Sequence, residues 1–191
     1  MCGRYYVEIT DDELEDIYEQ VQREIAGQAE QLSFDLDKIE VFPTNIVPVQ
    51  TGDKEYRAMK WGFTSFDGKP IINARSETAL EKPMFEKPML ESRCLIPASG
   101  YYEWQKQNVP KQKFSFALPD SNVMYMAGCY RLDKKSGLYT FVILTREAAA
   151  AIKHIHDRMP VIISERQKHD WLYGSPEVMN DAVSELVFNK V

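Results

Sequence analysis

Cysteine and histidine are scarce in this sequence, with three of each. Cys2, Cys94 and Cys129 form an odd set with no C-x-x-C spacing, which argues against a disulfide framework and a zinc site; neither metal nor cofactor is expected. A cysteine with a special role is then best read as a nucleophile. Long apolar runs are also missing. No stretch approaches the ~18 residues of a spanning helix, so no membrane segment is expected. The opening MCGRYYVEITDDELED lacks a basic leader followed by an apolar stretch, which makes the cytoplasm the expected location. There is no internal repeat and no low-complexity tract.

Positive charge is in deficit, with a formal net charge of −6, and this at first argues against nucleic acid as a partner. The distribution changes that conclusion. Residues 11–40 hold eleven acids against Arg23 and Lys38, a local −9, so the remainder carries +3. The acidity reads as one solvated helix face. What the chain has in quantity is hydrophobic residues, 44%, including nine Phe, ten Tyr and three Trp spread from end to end. At 191 residues this supports one packed domain over 1–191, expected to be a monomer.

Residues 4–9 read as a strand that draws the N-terminus into the fold. Thr10 and Glu13 form a capping box for a helix with Leu14, Ile17, Tyr18, Val21 and Ile25 on one face. From Phe42 to about Phe116, short apolar runs broken by Pro and Gly predict strands and tight turns, with a small helix near Glu77–Leu80. Val123–Tyr130 and Leu138–Thr145 predict a hairpin. Thr145 is expected to cap a helix leading to His154 and His156, RMPVII to return to strand, 164–173 to hold a short helix, and ELVFNKV to close a sheet edge. The fold class is α+β: a mainly antiparallel β core, of a kind able to close like a barrel, with flanking helices.

Cys2 is the most informative position. Once Met1 is removed, an α-amine of pKa ~7.7–8.0 and a thiol of pKa ~8.5 sit on adjacent carbons. That pair traps aldehydes: the amine gives an imine, and the thiol closes a five-membered thiazolidine. In INARSET, Asn73 and Arg75 place an amide and a guanidinium at a strand end, suited to a backbone or hydroxyl group and to a phosphate. Glu103 sits among Tyr101, Tyr102 and Trp104, where an apolar setting favours proton exchange near neutrality. His156 in HIHDRMP titrates near working pH, and Arg158 is a second phosphate candidate. His154 and His156, two apart, point away from each other on a helix, so they make a poor metal pair.

Together, MCGRY, FPTNIVPV at 42–49, KWGF at 60–63, INARSET at 72–78, RCLIPASGYYEW at 93–104 and IHDRMPVII at 155–163 closely resemble the SOS-response-associated peptidase (SRAP) family, the abasic-site processing proteins. The resemblance spans nearly the whole chain. It implies a mostly β fold with a positively charged cleft, in which the mature N-terminal cysteine attacks an abasic site in single-stranded DNA, with weak lyase side activity and association with the nucleoid when DNA is damaged. On that resemblance Cys2 matches the nucleophile, Asn73 the positioning amide, Glu103 the acid/base carboxylate and His156 the second proton-transfer residue. Arg4, Arg75 and Arg158 match arginines suited to phosphates. Trp61 and Pro43 fall in segments near the DNA path, with Trp61 expected to stack on it. Two departures stand out: Ser76 where Ala is common, and Thr44 where a basic or aromatic residue often follows Pro. Two rival readings remain at this stage, a cysteine peptidase using Cys2, His156 and Asn73, and a non-enzymatic single-strand binding module.

Overall fold

The computed structural model describes residues 2–9, 12–25, 38–105 and 110–191, with backbone alone for 22–25. The chain opens with β1 (Tyr5–Glu8) and α1 (Asp12–Ile25), then β2 (Lys38–Val41), β3 (Ile46–Gly52), β4 (Glu55–Trp61), β5 (Phe63–Thr64), β6 (Pro70–Ile71) and β7 (Asn73–Arg75). Two short helices, α2 (Ser76–Ala79) and α3 (Glu86–Glu91), lead to β8 (Arg93–Ala98), β9 (Gly100–Trp104) and β10 (Lys113–Ala117). The long strands β11 (Met124–Leu132) and β12 (Tyr139–Glu147) follow, then β13 (Arg158–Pro160), β14 (Ile162–Ile163), α4 (Lys168–Tyr173) and β15 (Val187–Lys190).

Five strands close on themselves in the order β12-β4-β3-β8-β11 and back to β12. Their sequences explain the closure. In β8 every residue is buried, and in β12 every residue from Thr140 to Thr145 is, as expected for strands covered on both faces. A second sheet, β15-β10-β9-β1-β2, is wholly antiparallel, and β10 alternates buried and half-buried residues as a one-sided strand does. Tyr5 of this second sheet packs its ring 5.4 Å from Trp61 of the barrel, joining the two in one core.

The hairpin expected across residues 123–145 forms as β11 and β12, paired from Gly128↔Ile143 to Leu132↔Tyr139. The C-terminal segment closes a sheet edge as β15 on β10. The α1 face of Leu14, Ile17, Tyr18 and Val21 is buried, while the proposed cap Thr10 lies outside the described residues. Pairing is more mixed than expected, because β12 runs parallel to both β4 and β7. The helix expected after Thr145 is absent. Thr145 is fully buried within β12, where its Oγ1 donates to Ala74 O at 3.4 Å, so it is unavailable as a cap. Residues 150–155 are successive turns instead, and α3 was not anticipated.

The FPTN block forms a tight turn. Asn45 N donates to Phe42 O at 3.1 Å, and Asn45 Oδ1 accepts from Phe42 N at 2.8 Å. Pro43 supplies a restricted φ at the first central position, and Thr44 takes a φ of 75°, a region that a β-branched residue seldom enters.

Candidate functional site

Cys2 lies just ahead of β1 and is fully buried. Its position follows from the way β1 joins β9: Tyr102 N donates to Arg4 O at 2.9 Å and Ser99 N to Tyr6 O at 2.9 Å. The N-terminal segment is thereby drawn in until Asn73 reaches it. Asn73 Nδ2 donates to Cys2 O at 2.8 Å. Asn73 heads β7, which is held parallel to β12 by the Ile143↔Asn73 register. One residue earlier, Ile72 O accepts from the Trp61 indole at 2.9 Å.

This contact corrects the expected role of Trp61. The ring is fully buried, stacked 6.4 Å from Phe141 and tilted against Tyr5, so it offers no face to DNA. It fixes the strand that carries Asn73. The aromatic rings near Arg4 that do reach solvent are Phe42, 42% exposed, and the half-buried Trp104. The Arg4 guanidinium lies 4.3 Å from the Phe42 ring centroid and 5.0 Å from that of Trp104. Arg4 also pairs with Glu40 at 3.2 Å, and Lys113 reaches the same carboxylate at 3.1 Å. Pro43, half-buried, sits in the turn beside Phe42.

Glu103 and His156 come from distant parts of the chain and meet in a dry setting. His156 Nε2 is 3.7 Å from Glu103 Oε2, and the two side chains are 9% and 6% exposed. Around the other ring nitrogen, Nδ1, stand Arg158 N at 3.0 Å, Arg158 O at 3.1 Å and Asp157 Oδ1 at 3.2 Å. The amide serves an unprotonated Nδ1; the carbonyl and carboxylate serve a protonated one. His156 can therefore take up or release a proton without turning its ring. Burial pushes the Cys2 thiol up, and the negative charge of Glu103 adds to that shift.

Three arginines were singled out from sequence, and they differ in state. Arg75 is exposed at the end of β7, opposite Thr145. Arg158 forms a two-point ion pair with Glu77, at 2.5 and 2.8 Å, and also donates to Thr145 O at 2.5 Å. Arg75 thus lies opposite Thr145 in the strand register, and the Arg158 guanidinium reaches the carbonyl of the same residue. Sequence reading missed Glu77, although it lies inside the INARSET block, and it missed Glu40. The only signal for either was an acidic residue among proposed phosphate ligands. Among the described residues no group of three or more His, Cys, Asp or Glu is placed to hold a metal ion, and no helix is long and apolar enough to cross a membrane.

A closed barrel in which the Asn73 amide clamps Cys2, the charge of Glu103 reaches the Cys2 thiol and His156 faces Glu103 describes the site. The sequence matches the family described as SOS response associated peptidase (SRAP) over residues 1–190, and the chain belongs to that family. It is 43% identical over 110 residues to the abasic site processing protein YobE of Bacillus subtilis, a match covering 55% of this chain and 50% of YobE. Over 117 residues it is 39% identical to YoqW of Bacillus subtilis, covering 59% and 52%. With the abasic site processing protein YedK of Escherichia coli identity is 28% over 194 residues, covering 97% and 85%. The match thus spans about half the length of YobE and YoqW. In fold, the chain superposes on a crystal structure from Bacteroides thetaiotaomicron with a TM-score of 0.77 at 22% identity, covering 98% and 91% of the two chains. A Bordetella bronchiseptica structure gives 0.75 at 20%, covering 100% and 99%.

Proposed function

We propose that this protein captures abasic sites in single-stranded DNA covalently through Cys2, after removal of Met1. The observation that carries the reading is the hydrogen bond from Asn73 to the Cys2 carbonyl. It anchors Cys2, whose thiol feels the charge of the buried Glu103, the carboxylate that faces His156. A cysteine acting as an internal thiol has no need of a clamp on its own backbone. The arrangement also disfavours a peptidase acting in trans, since Asn73 is engaged with Cys2 rather than orienting His156.

The chemistry proceeds in three stages, one that opens the sugar and two that form bonds to C1′. His156 gives a proton to the sugar ring oxygen, and the C1′ hydroxyl gives up its own to Glu103, as the sugar opens to its C1′ aldehyde. The Cys2 amine then adds to C1′, and loss of one water leaves an imine, with Glu103 moving protons between nitrogen and oxygen. Because burial holds the thiol protonated, ring closure carries both partners across together: sulfur bonds to C1′ and its proton goes to the imine nitrogen. The product is a thiazolidine. An imine that persists acidifies the C2′ hydrogens, so weak strand cleavage by β-elimination accompanies any failure to close.

DNA affinity is assigned to Arg4, Arg75 and Arg158 on phosphates, with Phe42, Pro43 and Trp104 as apolar surface for bases. Affinity therefore falls with salt. Intact-mass measurement before and after incubation with an abasic oligonucleotide tests the reading. Loss of Met1 and a denaturation-resistant adduct are expected, absent in Cys2→Ala and prone to strand cleavage in Cys2→Ser. Glu103→Gln is expected to slow adduct formation by about 10²–10⁴. An undiminished adduct from Cys2→Ala overturns it.

A further inference from the structure

β9 alternates its side chains. Tyr102 faces Tyr6, ring centroids 4.9 Å apart, and lies under Lys113 at 3.6 Å; Tyr101 and Glu103 point to the opposite, inner side. Tyr101 pairs across the sheet with Tyr5. Its ring stacks on Phe116 at 4.8 Å and 9°, and the residue is 1% exposed. The phenol oxygen has no hydrogen-bond partner among the described residues. A buried hydroxyl left unsatisfied costs roughly 1–3 kcal/mol, so its persistence calls for a group that reaches it at some stage.

The surroundings indicate which group. Burial first, and then the neighbouring Cys2 and Glu103, push the Tyr101 phenol up, so it keeps its proton and serves as a donor. The residue before it must be glycine, because a Cβ on Gly100 would lie 2.2 Å from Phe116 O. Tyr5, its cross-strand neighbour, has a buried hydroxyl that is also unpartnered among the described residues, but it lies against the phenol of Tyr18. Asn73 Oδ1 is likewise buried and unpartnered among the described residues, a further orphan polar atom beside Cys2.

We propose that the Tyr101 hydroxyl is a substrate contact: it donates a hydrogen bond to the oxygen of the C1′ aldehyde as the Cys2 amine attacks. This rests on the covalent-capture reading above. When the N–C1′ bond forms, the carbonyl π pair moves onto oxygen. Tyr101 stabilises that oxygen until a proton from the attacking nitrogen converts it to the carbinolamine hydroxyl, which later leaves as water. The donor stands in a water-poor site, where such a contact is most effective. Asn73 Oδ1 faces the opposite need and accepts from the amine N–H.

The test is Tyr101→Phe, which keeps the ring and its stack and deletes one hydroxyl. Adduct formation with abasic single-stranded DNA is expected to slow by about 10- to 100-fold. Affinity for an oligonucleotide carrying a tetrahydrofuran analogue, which has no aldehyde, should stay the same, and the melting temperature should stay or rise. Replacing Tyr101 with 3-fluorotyrosine, which retains the donor, should keep the wild-type rate. A wild-type rate in Tyr101→Phe overturns the proposal, as does a slower rate accompanied by lost tetrahydrofuran-DNA affinity or a lowered melting temperature. Absence of any adduct from the wild-type protein instead overturns the capture reading itself.

Discussion

Asn73 and Cys2 are 71 residues apart, yet the amide of one donates to the backbone carbonyl of the other at 2.8 Å. The bond is part-buried and fixes the direction in which the chain start enters the pocket. Removing the donor leaves a poorly satisfied carbonyl and a loosely placed nucleophile. Asn73→Ala is expected to slow adduct formation by about 10- to 100-fold, equivalent to about 1–3 kcal/mol. Asn73→Asp should be worse, since a carboxylate would oppose the carbonyl oxygen. Rates read from denaturing gels decide it, and a wild-type rate in both variants would remove Asn73 from the site.

The Cys2 thiol is raised first by burial and then by the charge of Glu103. Alkylating agents attack the thiolate, so Cys2 in the folded protein should label far more slowly at pH 8 than in denaturant. Peptide mapping after a timed iodoacetamide pulse follows Cys2 separately from the equally buried Cys94 and Cys129. Rapid native labelling would mean that the chain start is not held as described.

Hydrogen bonds from Arg158 hold the Glu77 carboxyl below the usual carboxylate range. A folded-state value depressed in this way contributes stability above the unfolded value, near 4.3, and loses it as pH falls through the folded value. Melting temperature should therefore decline on acidification below about pH 5, and Glu77→Gln should flatten that part of the curve. Identical acid profiles for the two proteins would show that the pair contributes nothing measurable, as half-exposed pairs sometimes do.

Thr44 occupies left-handed backbone in the turn that places Phe42 beside Arg4. Strain of this kind costs about 1–3 kcal/mol, against roughly 0.5–1 kcal/mol for the extra freedom of glycine in the unfolded chain. Thr44→Gly should raise the urea midpoint by the equivalent of about 1 kcal/mol without altering the adduct rate. A lowered midpoint would indicate that the Thr44 side chain supports the turn.

From the sequence by itself, Cys2, Asn73, Glu103 and His156 are grouped through the family that their blocks resemble, while no single block carries a local pattern that says the four share one site. The sequence also determined the N-terminal strand, the amphipathic α1 and the long hairpin, where residue period alone separates strand from helix. Tertiary structure decided everything that depends on two faces at once. Trp61 reads the same whether its ring stacks on DNA or lies in the barrel, and only closure of β12 onto β4 buries it and turns its indole toward the strand bearing Asn73. Thr145 has a cap's chemistry, but the continuing strand claims it. The parallel pairing of β7 with β12 sets Arg75 opposite Thr145, and the antiparallel pairing of β13 brings Arg158 to the same residue; no local pattern encodes either long-range contact. The same holds for the Tyr101 hydroxyl: a phenol in a sequence has any number of partners within reach, and only the packed fold leaves it with none among the described residues.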